Sequence, residues 1–257
     1  MTSAISITAI NTFPVKGLSA CPHQAVSIKS GAMLPFDRAW AIETGARKFN
    51  PAQPAWLPKI SFAQLMSHEK LAQLETSYEA SDGGAVLTIL RDGKQVARGN
   101  LATQIGRQLI EQFIAGFMAT ELRGSPKIVH ADGHHFADVP ARFISLLNLA
   151  SVREVARVAG KPIDPRRFRA NIHIDGAEPW EEFKWLGRNM CAGGKPLFRV
   201  AERITRCAAT SVNPDTSVRD VNLPRLLASA FTHEDCGVYV SAIADMELET
   251  GQAITIA

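Results

Sequence analysis

The chain has no apolar run long enough to cross a membrane, and its N-terminus lacks the basic and long apolar segments of a secretory signal. The cytoplasm is therefore the expected compartment, with no membrane partner. Cysteine is scarce: Cys21, Cys191, Cys207 and Cys236 are the only four in 257 residues, and no two stand as a CxxC pair. That argues against both a structural zinc site and a disulfide framework. Neither sign of charge dominates; a net charge of +3 gives no argument for nucleic acid. Internal repeats and low-complexity segments are missing, which excludes solenoids and fibrous arrays. What remains is an ordinary globular composition, 46% hydrophobic and 21% charged, in a chain long enough for two modest domains or one large β-rich one. Among the cations arginine outnumbers lysine, a bias that suits bidentate contacts with phosphate or carboxylate.

Periodicity predicts a mainly β protein. Residues 4–10 alternate apolar and polar as a half-buried strand does, and 24–29 suit a second. Asp92-Gly93 predicts a hairpin joining 85–91 to 94–98. Residues 103–118 place Ile105, Leu109, Ile110, Phe113, Ile114 and Phe117 on one helical face. A second helix is expected over 148–158, with Ser151 and Glu154 as a capping box and Gly160 as its stop. Residues 196–200, 207–212, 236–242 and 252–256 read as strands, and Leu223 to Phe231 as a short helix. The expected fold is mixed but mainly β: a barrel with peripheral helices, after an N-terminal β-rich domain. The boundary is placed so that 1–120 and 121–257 are the two domains.

The stretch 203–216, Arg-Ile-Thr-Arg-Cys-Ala-Ala-Thr-Ser-Val-Asn-Pro-Asp-Thr, is the chemically pointed one. It sets Cys207 directly after Arg206, among small and hydroxyl side chains, and closes in an Asn-Pro-Asp-Thr turn. A cation beside a thiol favours the thiolate, which is both nucleophile and soft-metal ligand; a small buried residue at a strand end is the plain alternative. Lys16 sits between Pro14 and Gly17, in a loop that can approach a ligand or merely be solvated. Asp37-Arg38 lies among aromatics, as a local salt bridge or as an arginine aimed at an anion. Arg166, Arg167 and Arg169 lead into a strand, as a basic turn or as an anion clamp. Residues 130–138 gather three histidines and two aspartates, but Gly133 breaks any helix that would align them, so the metal signal there is weak.

Taken together, several segments resemble the MOSC family, named for the C-terminal domain of molybdenum cofactor sulfurases. They are Phe13-Pro14-Val15-Lys16-Gly17 and Asp37-Arg38-Ala39-Trp40, then Phe136-Ala137-Asp138, Arg167-Phe168-Arg169-Ala170-Asn171, and Arg206-Cys207 through Asp215-Thr216. The resemblance runs in the family's order over nearly the whole chain, and is nearest to the two-domain branch that contains the mitochondrial amidoxime-reducing component and bacterial relatives. It implies a molybdenum–molybdopterin cofactor, with Cys207 as metal ligand. Lys16, Gly17, Arg38, Arg167, Arg169, Asn171, Arg206 and Thr210 are the implied cofactor contacts, and Asp138 and Asp215 the candidate acids. The implied reaction is reduction of N-hydroxylated compounds such as amidoximes, hydroxylamines and N-hydroxylated bases. No ferredoxin-like segment follows Cys236 before Ala257, so electrons are expected from a separate ferredoxin or b-type cytochrome with its reductase. Gly17 departs from the serine common at that place. Two other readings of the same residues are a sulfur carrier working through a Cys207 persulfide and a non-enzymatic cofactor-binding module.

Overall fold

The computed structural model describes residues 4–45, 48–81 and 84–257. Its centre is a closed seven-strand barrel. Round the barrel the strands run Ile172–Asp175, Ile144–Asn148, Asp235–Ala242, Lys195–Thr205, Asn189–Ala192, Ala253–Ile256 and Ile5–Thr12, and the last pairs back to the first. Closure leaves no free edge among these seven. The first strand of the chain is thus a stave of a barrel otherwise built after residue 143, and Cys21–His23 extends it at one side. Ile144–Asn148 and Ile172–Asp175 pair in parallel, which needs a crossover, supplied by helix α1 (Leu149–Ala159). The barrel is filled by alternate residues of its staves: Ile7, Ile10, Leu146, Ile174, Phe198 and Val240 are all buried. Leu147, Val155, Leu227 and Cys236 form a further cluster, with α1 and the short helix α2 (Leu223–Phe231) on the barrel's outside.

A separate core belongs to the N-terminal half. Glu75–Ser81, Gly84–Arg91 and Lys94–Asn100 make a three-stranded sheet whose hairpin turns at Asp92-Gly93 as expected. The fourteen-residue helix Gln104–Phe117 packs on it, capped by Thr103, whose hydroxyl accepts from the Gly106 N–H. Only part of its anticipated apolar face is covered: Ile110 and Ile114 are buried, while Ile105 and Leu109 face outward. Gly106 presses so closely on Asn100 that a Cβ there would meet backbone. Among the described residues no helix is long and apolar enough to cross a membrane.

Two local expectations are corrected. Residues 207–212 are not a strand. After Thr205 the chain forms a 3-10 turn over Ala208–Ser211, because the Thr210 N–H and hydroxyl both turn back to the Cys207 carbonyl. The capping box at Ser151 does not form either. Asn148 caps α1 by accepting from the Ala150 N–H, and Ser151, one turn inside, donates to the buried Glu182 carboxylate. The αL stop at Gly160 is present.

Leu146 is fully buried at the centre of the barrel, and its carbonyl lies against Gly237. Leu146→Ala is expected to lower unfolding free energy by about 2–5 kcal/mol with an unchanged denaturant slope; a loss under about 1 kcal/mol would mean that the barrel interior relaxes around the gap.

Candidate functional site

The loop after the first barrel stave carries the site from one core to the other. It is pinned by backbone pairing between 13–16 and 38–40: Arg38 N–H donates to the Phe13 carbonyl, Trp40 to Pro14, and Lys16 to Trp40. Asp37 adds a side-chain bond, accepting from the Phe13 N–H at 2.8 Å. Gly17 then turns with φ +86°, and a Cβ there would stand 2.8 Å from the Ala63 carbonyl oxygen. Serine could not occupy this backbone without a shift, which accounts for the departure at this position.

Two arginines converge on Phe13. The guanidinium carbons of Arg38 and Arg169 each lie 4.4 Å from its ring centre. Both residues have a left-handed backbone, φ +52° and +50°, an uncommon conformation for a residue other than glycine that the surrounding contacts must hold. Arg38 is gripped by Asp37 at 2.6 Å and donates to the Arg169 carbonyl at 3.0 Å; Arg169 in turn donates to the Leu18 carbonyl at 2.8 Å. Burial first, and Arg38 second, draw the Arg169 guanidinium down to about 9, with Asp138 and Asp37 acting against them. It stays charged at neutral pH, in a place where charge is costly to keep.

These groups wall a cavity of about 420 Å³ together with Cys207, Thr210, Asn171 and Arg206. Asn171 joins staves rather than leaving its amide free. Its Oδ1 accepts from the Ser145 N–H and hydroxyl, and its Nδ2 donates to the Asn11 carbonyl. Arg206 donates to the carbonyls of Cys236 and Phe168, and burial lowers its pKa. Its Nη2 has no partner. Arg167 likewise binds the Ser211 carbonyl and Asp220, while its Nε has none. Orphaned buried N–H groups cost on the order of 1–3 kcal/mol each and are rare without a reason.

Lys16 Nζ donates to the Phe136 carbonyl at 2.7 Å and to Asp138 at 2.5 Å. Lys59 approaches the other Asp138 oxygen at 3.6 Å and lines the same cavity as Cys207. Burial lowers the Lys16 pKa against the pull of Asp138. For Asp138 burial works upward, but Lys16, Lys59 and Arg38 together outweigh it and hold the carboxyl at about 2. Burial also works downward on Lys59, and Asp138 and Cys207 overcome it to raise its pKa. At neutral pH Asp138 is therefore a charge partner without a proton to give.

Of the residues singled out by the sequence, the cavity gathers Cys207, Asp138, Lys16, Gly17, Arg38, Arg167, Arg169, Asn171, Arg206 and Thr210. Asp215 is elsewhere. The Asn213 side chain accepts from its N–H, and its exposed carboxylate pairs with Arg166 at 2.8 Å on a neighbouring lobe. His130 stacks on Trp40, and His134 lies tilted against Phe49. Lys59 was not anticipated. It lies in the proline-rich stretch 51–60, and no local pattern distinguishes it from a solvated lysine.

Comparison with known proteins adds the following. The model of the family described as MOSC domain matches residues 131–255. Among solved structures, the YuaD protein from Bacillus subtilis aligns over 99% of this chain and 96% of its own, with 10% identity and a TM-score of 0.45. YiiM from Geobacillus stearothermophilus aligns over 44% of this chain and 53% of its own, with 18% identity and a TM-score of 0.35. No curated protein matches.

The cluster has a pH signature. A carboxyl held below its unfolded value of roughly 3.9 contributes stability above about pH 4, lost as pH falls through about 2. The Asp138 side chain keeps 48% of its surface open to the cavity. That open face, more than the protein crowded behind it, sets the energy, so the contribution is discounted to about 1 kcal/mol. Asp138→Asn should cost about that much at pH 7 by chemical denaturation. The gap from the parent should close between about pH 4 and 2; a gap independent of pH would show that its charge is not what the lysines use.

Proposed function

We propose, from the match of residues 131–255 to the MOSC domain model, that the protein holds a molybdenum cofactor in the Cys207 cavity and reduces N-hydroxylated compounds in the cytoplasm, drawing electrons from a separate ferredoxin or b-type cytochrome. The observation that carries the reading is a soft sulfur donor sharing one cavity with a surplus of desolvated cations from both halves of the chain. The surplus includes the unpartnered Arg167 Nε and Arg206 Nη2. These residues fit the group: thiolate suits a sulfur-ligated metal, and lysine and arginine suit a terminal phosphate.

Cys207 would hold the metal, and Lys16, Arg38 and Arg169 the anionic tail. Asn171 has one amide hydrogen left to offer once its bond to Asn11 is counted. The bound cofactor would supply the two-electron chemistry. The chain's own residues set its surroundings. Asp138, ionised, holds Lys16 and Lys59 in place and opposes the loss of charge that burial imposes on Lys16. Lys59, on the same cavity wall as Cys207, is placed to donate a proton toward a departing oxygen there. The left-handed turns at Arg38 and Arg169 fix both guanidiniums before any anion arrives, so little ordering is required on binding.

A second reading is a sulfur carrier, favoured by the Lys59 ammonium in the cavity that Cys207 lines, since a cation there would also steady a persulfide anion. Metal analysis after expression with molybdate in a cofactor-competent host separates them. Stoichiometric molybdenum and pterin support the reductase; cyanide-labile sulfur without metal supports the carrier. Cys207→Ser should abolish molybdenum retention while leaving cooperative unfolding intact, because the side chain is small and only half-buried. Full retention would remove Cys207 from the ligand set. Arg169→Ala should weaken cofactor retention by about 1–3 kcal/mol, the scale of a charge-assisted bond, read as pterin content after dialysis. Unchanged content would place the tail elsewhere.

A further inference from the structure

Beside the Cys207 cavity lies a larger lobe of about 750 Å³, within the range of sites that enclose a drug-sized organic molecule. The two share walls at Gly17, Leu65, Arg167, Arg169 and Ala209. The floor is apolar: Leu18, Leu71 and Leu74 are 1–2% exposed and open onto the lobe alongside Leu65. The buried end is basic. The Arg167 side chain, on the wall common to both cavities, is only 3% exposed, and its buried Nε has no partner among the described residues. Arg169 stands next to it with one donor committed to Leu18. His173, on the same lobe, is kept neutral by burial, which draws it down to about 4. The outer end differs. Glu75 and Asp92 are exposed there, and Arg166 is already bound by Asp164 and Asp215.

We propose that this lobe binds an amphipathic organic monoanion. Its flat apolar body lies on Leu18, Leu65, Leu71 and Leu74, and its carboxylate or sulfonate reaches Arg167 and Arg169. The anion lies against the guanidiniums on the lobe wall, and the body removes water from its apolar lining. Glu75 and Asp92 repel a second acidic group at the outer end, which sets the direction of entry. Ala209, in the shared wall, is two positions from Cys207, so the acidic head lies toward the Cys207 cavity. The lobe shares Arg169 with the anionic tail proposed for the Cys207 cavity.

The test is calorimetric titration of 1-naphthoate into the full chain, with molybdenum and pterin content measured on the same preparations. Saturable one-to-one binding is expected, roughly tenfold or more tighter than that of 1-naphthalenemethanol, which has the same body without the charge. Ala72→Trp fills the lobe from a partly exposed wall position and should weaken naphthoate binding by about tenfold or more with metal and pterin unchanged. Ala20→Trp, from another part of the wall, gives the same reading if the first variant does not fold. Absence of saturable binding, equal binding of the alcohol, or undiminished binding in the filled variant overturns the proposal. Loss of metal and pterin on filling the lobe also overturns it, since the cofactor's ring system would then occupy the space.

Discussion

Two guanidinium groups beside one phenyl ring hold the site together. Arg38 comes from the N-terminal half and Arg169 from the segment entering a barrel stave, and both stand 4.4 Å from the centre of Phe13. Cation–π attraction of about 0.5–2 kcal/mol apiece offsets part of the repulsion between them. The Arg38 bond to the Arg169 carbonyl then ties the halves directly. Each arginine is held in a left-handed turn that only a well-determined neighbourhood maintains. If this junction loosened, Lys16, Arg38 and Arg169 would no longer share a wall with Cys207.

The cavity is electrostatically incomplete. Lys16, Lys59, Arg38, Arg167, Arg169 and Arg206 face it or line it, and Asp138 is the carboxylate placed to bridge two of them. Burial drags Lys16, Arg169 and Arg206 below their ordinary values, the sign of positive charge held where it is not fully compensated. Structural ion pairs have no need of that surplus. An anionic ligand would relieve it. The shared wall that joins the Cys207 cavity to the larger lobe makes Arg167 and Arg169 common to both.

Much of this was legible in the chain. Alternation over 4–10, the Asp92-Gly93 turn and the amphipathic run at 103–118 are local signals, and each produced the element expected of it. The loop residues around Lys16, Arg38, Arg169 and Cys207 were marked by their neighbours: proline and glycine, an aspartate, a run of arginines, small hydroxyl side chains. Asp215 was marked in the same way and proved to face outward. An Asn-Pro-Asp turn states that the chain bends but not toward what. Lys59 carried no mark at all, since a lysine in a proline-rich loop reads as solvated wherever it points.

The amino-acid order by itself determined the element types, the mainly β class and the residue kinds available for anion and metal chemistry, because period, turn chemistry and side-chain character act within a few positions. Only the tertiary structure decided that the first strand closes a barrel built more than 130 residues later. It also decided that Lys59 and Cys207 line one cavity and that Arg167 lines two at once. Those outcomes depend on strand pairing and loop packing between distant segments, and no short window of sequence contains both sides of such a contact.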